Sequence, residues 1–404
     1  MPEDVDSPPS SVSSRVAPRG RGRSRIRTLI PARLRRPLIW ALRGTAAVVL
    51  MMAGYVGVTI YPYLSAPGTD SVAARIAEWG RDHHLSWAVT WLEDSTYTPP
   101  PTGGALSPAQ QKALLGSQSP SPHPDTSALI DLPTDIPAQA AHPLPGEGVW
   151  HPVKYGPTGG PVLEEAALRP DSQHTSALAY AVWMNQKSLS FTLQPGFQQP
   201  GGRWPVPDSV SGAALDGLVA TWNGGFKIHP DDARGGYYAS GVTAARLVTG
   251  KASEVFYRDG SLRIGAWGSG LSMNPEVLAV RQNLSLLVDH GSIQAGSFAG
   301  SGSQWGFTIN NNFFVARSGV GITASGDIVY VSGPSLSVST LAHLLKAAGA
   351  VNAMELDINP AWVSFMTYSG NARDPHPSKL WDFTQPADRY LQPASRDFVS
   401  VHLR

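Results

Sequence analysis

The chain has 404 residues, enough for two or three domains or for one large domain with appendages. It contains no cysteine, which excludes disulfides, thiolate zinc sites and cysteine nucleophiles and is consistent with export from a bacterium. The net charge of +1 hides an asymmetry: residues 1–43 hold ten of the 31 basic residues and three of the 30 acids. The body is therefore mildly acidic and lacks the clustered basic face that nucleic acid requires.

Residues 1–36 are rich in Pro, Ser and Arg and poor in core-forming side chains, so the 1–43 segment reads as a disordered, basic, cytoplasmic tail. From Gly44 to Leu64 there is no charge over 21 residues, about the length a helix needs to cross a bilayer. Arg43 then sits at the interface, and the basic flank keeps the N-terminus in the cytoplasm. A cleaved signal peptide fits less well, because its apolar region is usually shorter and Leu64-Ser65-Ala66 is a poor cleavage site. The segment is thus expected to be a single-pass signal anchor in the cell membrane, with everything after residue 65 outside the cell.

In 65–97, Val72, Ile76 and Trp79 and then Leu85, Ala88, Val89 and Leu92 recur at helical spacing, with a break expected at Gly80. This helical pair has three possible roles: packing on the main domain, lying on the membrane, or self-association. His83 and His84 point apart on a helix and read as solvated. Residues 98–145 form a Pro-rich linker, broken by a short helix that starts at Ser107-Pro108 and ends by Gly116. The rest of the linker is expected to be extended and to hold the body away from the bilayer.

The main domain is placed at 146–404. Short apolar runs there are bounded by Gly, Pro, Asn and Ser: 177–184, 189–193, 217–222, 252–257, 262–267, 284–288, 313–316, 327–331 and 351–358. One long helix is expected, capped by Ser337 and ended by Gly349, with Leu341, Leu344, Leu345 and Ala348 on one face. The fold class is α+β, with mixed β-sheets and few helices.

Phe307–Phe365 organises this domain. In its segment 352–362, Met354, Leu356 and Ile358 alternate with Glu355 and Asp357, two carboxylates one pleat repeat apart, roughly 7 Å at the Cα atoms. Paired acids at a strand end suit acid/base work; the bland reading is a solvated face. Asn223-Gly224-Gly225 follows an apolar strand. It is either a hairpin turn or a place where a ligand approaches the backbone closely, with Asn223 offering its amide and Lys227 a charge for phosphate. Tyr237 and Tyr238 suit stacking on sugar or half-buried strand positions. Asp289-His290 reads as a turn cap. Arg317 stands where an apolar strand meets a glycine pair, as the partner of a structural carboxylate or as an anion clamp. No Walker loop, G-x-S-x-G elbow or H-E-x-x-H is present.

Taken in order, Asn-Gly-Gly-Phe at 223–226, Arg-x-x-x-Gly at 317–321 with the Gly326–Tyr330 turn and strand, the helix start at 336–341 and Leu356-Asp357 resemble the phosphodiester glycosidase family. That family includes the enzyme that uncovers mannose 6-phosphate by removing N-acetylglucosamine from its phosphodiester. The resemblance covers roughly residues 215–365. It departs at Ile358-Asn359-Pro360, where the family typically has two glycines and a serine.

The resemblance implies a hydrolase cutting between an anomeric carbon and a phosphodiester oxygen, with a sugar phosphodiester or cell-envelope glycopolymer as substrate. Arg317 and Lys227 would hold the phosphate, and Asp357 would act as base, nucleophile or stabiliser of the oxocarbenium-like centre. Glu355 would be the second carboxylate, Asn223, Gly224 and Gly225 would contact substrate, and Asn359 would replace the lost glycine contact. No cofactor is implied, and a divalent cation stays open because no full ligand set is visible. The alternative is a non-catalytic envelope module on the same fold that binds wall polysaccharide through its aromatic and glycine-rich loops.

Overall fold

In a computed structural model the described residues are 32–115, 132–228, 234–294, 305 and 314–404, with side chains described from residue 40. The expected tail through residue 31, the linker residues 116–131 and the opening of the 307–365 stretch through residue 313 lie outside the described residues. The chain divides into two units, residues 1–59 and 60–404. Helix α1 (Ala32–Leu64) contains Trp40–Leu64, a segment long and apolar enough to cross a membrane.

The second unit opens with α2 (Val72–Asp82) and α3 (Ser86–Thr96), and Ser71 caps α2 by accepting the Ala74 N–H. The break expected at Gly80 falls instead at His84, which takes the left-handed φ of 62°. Gly80 itself is buried inside α2, against Val89 of α3. His83 stacks on Trp79 with ring centroids 5.0 Å apart, so only His84 is solvated as expected. α3 buries none of its residues and leaves Trp87 and Trp91 exposed.

A capping box between Ser107 and Gln110 starts α4 (Pro108–Leu114). Leu106 and Leu114 pack with Ala167 and Leu178, and Ile136 enters the core. The described part of the Pro-rich segment therefore lies along the domain instead of standing off as a spacer.

The first strands are β1 (His151–Tyr155), β2 (Pro161–Leu168), β3 (Ala179–Met184), β4 (Leu189–Gln194), β5 (Leu218–Asn223) and β6 (Tyr237–Ala239). There follow β7 (Val242–Ala245), β8 (Ala252–Tyr257), β9 (Leu262–Ala266), β10 (Val277–Gln282), β11 (Leu286–Asp289) and β12 (Ser292–Ile293). The chain closes with β13 (Val315–Thr323), β14 (Ile328–Leu336), helix α5 (Val338–Ala347), β15 (Ala350–Glu355), β16 (Phe365–Asn371), β17 (Asp374–Lys379) and β18 (Phe398–Leu403). Among the described residues they make three sheets: β1-β2-β3-β14-β13-β15-β11-β12, β7-β6-β10-β8-β9 and β17-β16-β5-β18-β4. Every ladder between named strands is antiparallel, and the class is α+β.

The inner faces of all three sheets share one apolar core, in which Trp222, Tyr330, Met354 and Phe365 are buried. The eight-stranded sheet carries α5 on its other face through Leu341, Leu344 and Leu345. Ser337 accepts the Thr340 N–H and Gly349 ends the turn at φ +97°, as the sequence indicated. The central β15 thus has helix on one side and core on the other, and its C-terminal end points its two acids inward. Both are buried, so the solvated-face reading fails.

Candidate functional site

Asp357 directly follows β15. Its Oδ1 accepts the N–H groups of Ile358 (2.8 Å) and Asn359 (2.9 Å), an Asx-type turn that forms without the glycines. Asn359 in turn accepts the Ala361 N–H at 2.9 Å through its side chain, so its amide serves the loop. Oδ2 of Asp357 accepts no hydrogen bond among the described residues, and the residue is 4% exposed. Burial raises the pKa of this carboxyl, with Arg396 the first of the charges opposing the rise.

Asn223 and Asp357 meet through Ser318. Asn223 Nδ2 donates to Ser318 Oγ at 3.0 Å, and the same hydroxyl accepts the Asp357 N–H at 3.2 Å. Asn223 Nδ2 also donates to the Gly224 carbonyl, while Oδ1 accepts the Tyr330 hydroxyl and the Ser364 N–H. An amide offers two donors and two acceptor sites, so Asn223 is fully used inside the protein. Far from presenting the amide to a sugar, the structure spends it pinning β5, β13 and β14 around Asp357.

Arg317 and Glu355 form a buried ion pair, and Arg317 Nε donates to the Leu336 carbonyl at 2.8 Å. Both side chains are inaccessible, so Arg317 holds a structural carboxylate and does not face a phosphate. Burial lifts Glu355 to about 7 against the pull of Arg317, and its Oε2 has no partner among the described residues.

Asn223-Gly224-Gly225 makes no hairpin, and neither glycine has a positive φ. Their role is space. A Cβ on Gly224 would lie 2.2 Å from Asp397 Oδ2, and one on Gly225 2.8 Å from the Asn283 side chain. The close approach is thus by the protein's own groups. Asn283 Nδ2 reaches the Glu355 and Leu356 carbonyls at 2.8 and 2.7 Å, tying this loop to the end of β15. Tyr237 is buried and Tyr238 half-buried on β6, the bland reading, and Asp289-His290 is an exposed pair in the turn after β11.

Several residues here were given no role from the sequence. Arg281 binds Asp397 at 2.7 Å and donates to the Phe226 carbonyl. Glu254 is the cross-strand neighbour of Arg281 and has no hydrogen-bond partner on either oxygen among the described residues. The Trp222 indole approaches Glu254 without closing an aligned hydrogen bond, and burial raises this acid to about 8 despite Arg281. At the outer rim stand Arg389 and Arg396, both over the Trp362 ring, with guanidinium carbons 5.1 and 4.5 Å from its centroid.

That rim is covered by α2. Glu78 binds Lys227 at 2.6 Å and Arg396 at 3.0 Å, Asp82 binds Lys227, and Asp70 lies 3.4 Å from Arg389. Burial alone would raise Glu78, but Arg396 and Lys227 bring it down to about 2. Lys227, expected to meet a phosphate, meets carboxylates of the chain itself. Among the described residues no three acidic or histidine side chains gather to hold a metal ion.

Residues 216–357 match the family model described as phosphodiester glycosidase. No curated protein matches the chain. Among solved structures it is similar to the zebrafish N-acetylglucosamine-1-phosphodiester alpha-N-acetylglucosaminidase catalytic domain auto-inhibited by pro-peptide, at 17% identity and TM-score 0.39, covering 62% of this chain and 86% of that one. A hypothetical protein from Synechocystis matches at 11% identity and TM-score 0.32, covering 56% of this chain and 59% of that one. A putative exported protein from Burkholderia pseudomallei matches at 11% identity and TM-score 0.29, covering 58% and 75%.

Proposed function

We infer from the match of residues 216–357 to the phosphodiester glycosidase family model that the chain is a membrane-anchored hydrolase working outside the cytoplasm on sugar-1-phosphodiester bonds of a cell-envelope glycopolymer. Anchoring is supported by the Trp40–Leu64 segment and orientation by the arginines before it. The observation that carries the catalytic reading is Asp357: one oxygen is fixed by two turn amides, the other accepts no hydrogen bond among the described residues, and Arg396 is close enough to act on its charge.

The reaction adds water across the bond between the anomeric carbon and the phosphate oxygen. The departing phosphate monoester leaves as an anion, so less proton donation is needed than in ordinary glycoside hydrolysis and more anion binding. The second oxygen of Asp357 serves the oxocarbenium-like centre, as nucleophile or as base toward water, and its raised pKa favours taking a proton. Arg396 lies where it would meet the phosphate charge. Glu355, closed off from solvent with Arg317, is a positioning residue that fixes the end of β15, as is Asn223 through Ser318. The turn after Asp357 fixes the carboxylate through two amides although it has no glycines, which favours the enzyme over the non-catalytic module.

The test is release of free sugar from glycosyl-1-phosphodiesters by the full chain in detergent micelles, wild type beside Asp357→Asn. Turnover lost in the variant while near-UV circular dichroism is unchanged supports the hydrolase. Equal turnover in both removes Asp357 from the chemistry, and polymer binding without turnover in the wild type leaves only the binding module.

A further inference from the structure

We propose that the first two turns of α3, residues 86–92, lie in the headgroup layer of the membrane that α1 crosses, with the Trp87 and Trp91 indoles set into the acyl boundary. The partner is a phospholipid surface. The proposal rests on reading Trp40–Leu64 as a membrane anchor and uses nothing of the glycosidase site.

Three observations carry it. First, the end of α1 is fixed to the helical pair. The last carbonyls of a helix have no N–H within the helix to accept, and here Arg75 of α2 supplies donors. Its Nη1 donates to the carbonyls of Tyr63 at 3.2 Å and Leu64 at 3.1 Å, its Nη2 to those of Pro67 and Gly68, and its Nε to that of Asp70. The Tyr63 hydroxyl donates to Asp82 at 3.0 Å, and its ring meets His83 edge-on with centroids 6.1 Å apart. Trp87 follows His83 by four residues, at most about 14 Å of chain. The headgroup layer beyond the hydrocarbon is about 5–8 Å deep on each side. Helix α3 therefore starts beside the point where the apolar segment ends.

Second, this part of α3 has the chemistry of the headgroup layer. Trp87, Trp91 and Leu92 are 71%, 67% and 58% exposed, and the two tryptophans stand one turn apart on one face. Residues 86–92 carry no charge. The acids Glu93 and Asp94 fall in the last turn, where Glu93 pairs with Arg81. An indole has a wide apolar ring and one N–H, which is why tryptophan is enriched where acyl chains meet headgroups. Third, the patch suits lipid better than a second chain. The exposed parts of these three side chains amount to roughly 400–500 Å², about half of the ~800 Å² that each partner buries in a stable protein interface.

Because the chain has no cysteine, a single introduced thiol takes a nitroxide label at one place only. The full chain is reconstituted in phosphatidylcholine vesicles and labelled at Thr90→Cys, an exposed position between the two tryptophans. Val49→Cys within α1 and Asp374→Cys on the exposed β17 are the references. Paramagnetic resonance reads access to oxygen, which concentrates in lipid, against access to a water-soluble nickel chelate. The oxygen-to-chelate ratio at 90 is expected to be at least about tenfold that at 374. Adding Trp87→Ser/Trp91→Ser should bring it down to the value at 374 with near-UV circular dichroism otherwise retained. A ratio at 90 equal to that at 374, while the label at 49 is shielded from chelate, overturns the proposal and leaves the anchor standing. A label at 49 open to chelate removes the anchor and the proposal together. Low access of both reagents at 90 overturns it in favour of a protein cover, a second copy if the labels broaden one another and a segment of the same chain if they do not. A high ratio that survives loss of both tryptophans overturns the role given to the indoles.

Discussion

Two sets of charges lie close together in this domain and are answered differently. Arg317 and Glu355 are both inaccessible, and each is the other's partner on adjoining strands of one sheet. Lys227, Arg389 and Arg396 sit at the rim, and their anions are Asp70, just before α2, and Glu78 and Asp82 on it, 145 to 319 residues away in sequence, on a segment that contributes no strand. A pair satisfied within a single sheet is scaffold. Cations satisfied by a separate segment are free to change partner, and that separates binding residues from framework more sharply than residue type does.

The largest expected effect lies on the atom the two sets enclose. Asp357→Asn should lower sugar release by about 10²–10⁴-fold, the range for losing a positioned acid/base group, with the melting temperature nearly unchanged. Next comes the scaffold pair. Arg317→Met strands a buried carboxylate and should cost about 3–5 kcal/mol of stability, read from denaturant midpoints, whereas Arg317→Met/Glu355→Leu should recover most of it. If the single variant were as stable as wild type, the scaffold half of the comparison would break. At the rim the balance reverses: Arg396→Gln should raise KM for a glycosyl phosphodiester about tenfold, worth roughly 1.4 kcal/mol, and barely move the melting temperature.

Glu254 tests the same contrast from inside. Its folded pKa, about 8, lies above the ordinary 4.5, so the folded state holds this proton more tightly and the unfolded chain loses it first. The stability linked to that proton is complete below pH 4.5 and is lost as pH rises toward 8. Glu254→Gln should therefore flatten the fall in melting temperature between pH 5 and pH 8, an effect on the order of 2–3 kcal/mol at the upper end. A wild-type profile as flat as the variant's would place an unrecorded partner beside this acid.

How much of this was legible in the sequence depends on how local the signal is. The nine apolar runs are strands, and Ser337 and Gly349 bound the long helix, because period-two alternation and caps are written within a few neighbouring residues. β2 was not expected: Val162-Leu-Glu-Glu-Ala-Ala-Leu168 has strong helix formers and becomes a strand because β1 and β3 pair with it on both sides. At the site, Asp357 was legible from its place at a strand end, and Arg317 was narrowed to two roles, of which the structure has the carboxylate partner. Asn223, read as a ligand group for its amide beside two glycines, has its four hydrogen-bonding positions filled by Gly224, Ser318, Tyr330 and Ser364, a saturation that no local pattern reveals. Arg389 and Arg396 carry no local signal and acquire meaning only when the loop before β18 meets Trp362 and α2.

The smallest effect concerns only the cover. Glu78 has a folded pKa of about 2, below the ordinary 4.5, because Arg396 and Lys227 outweigh its burial. The docked carboxylate is thus more acidic than the free one, so the stabilisation it gives α2 is complete above pH 4.5 and disappears as pH falls toward 2. Hydrogen exchange, corrected for intrinsic rates, should show protection of residues 72–82 holding from pH 7 to pH 5 and dropping between pH 4 and pH 3. Protection of the α5 core should persist longer, since no acid lies on that helix. In Glu78→Gln the drop should vanish and protection should be low throughout. If α2 kept its protection in acid, its hold on the domain would come from Trp79 and other apolar contacts, and the rim cations would belong with Arg317 as framework.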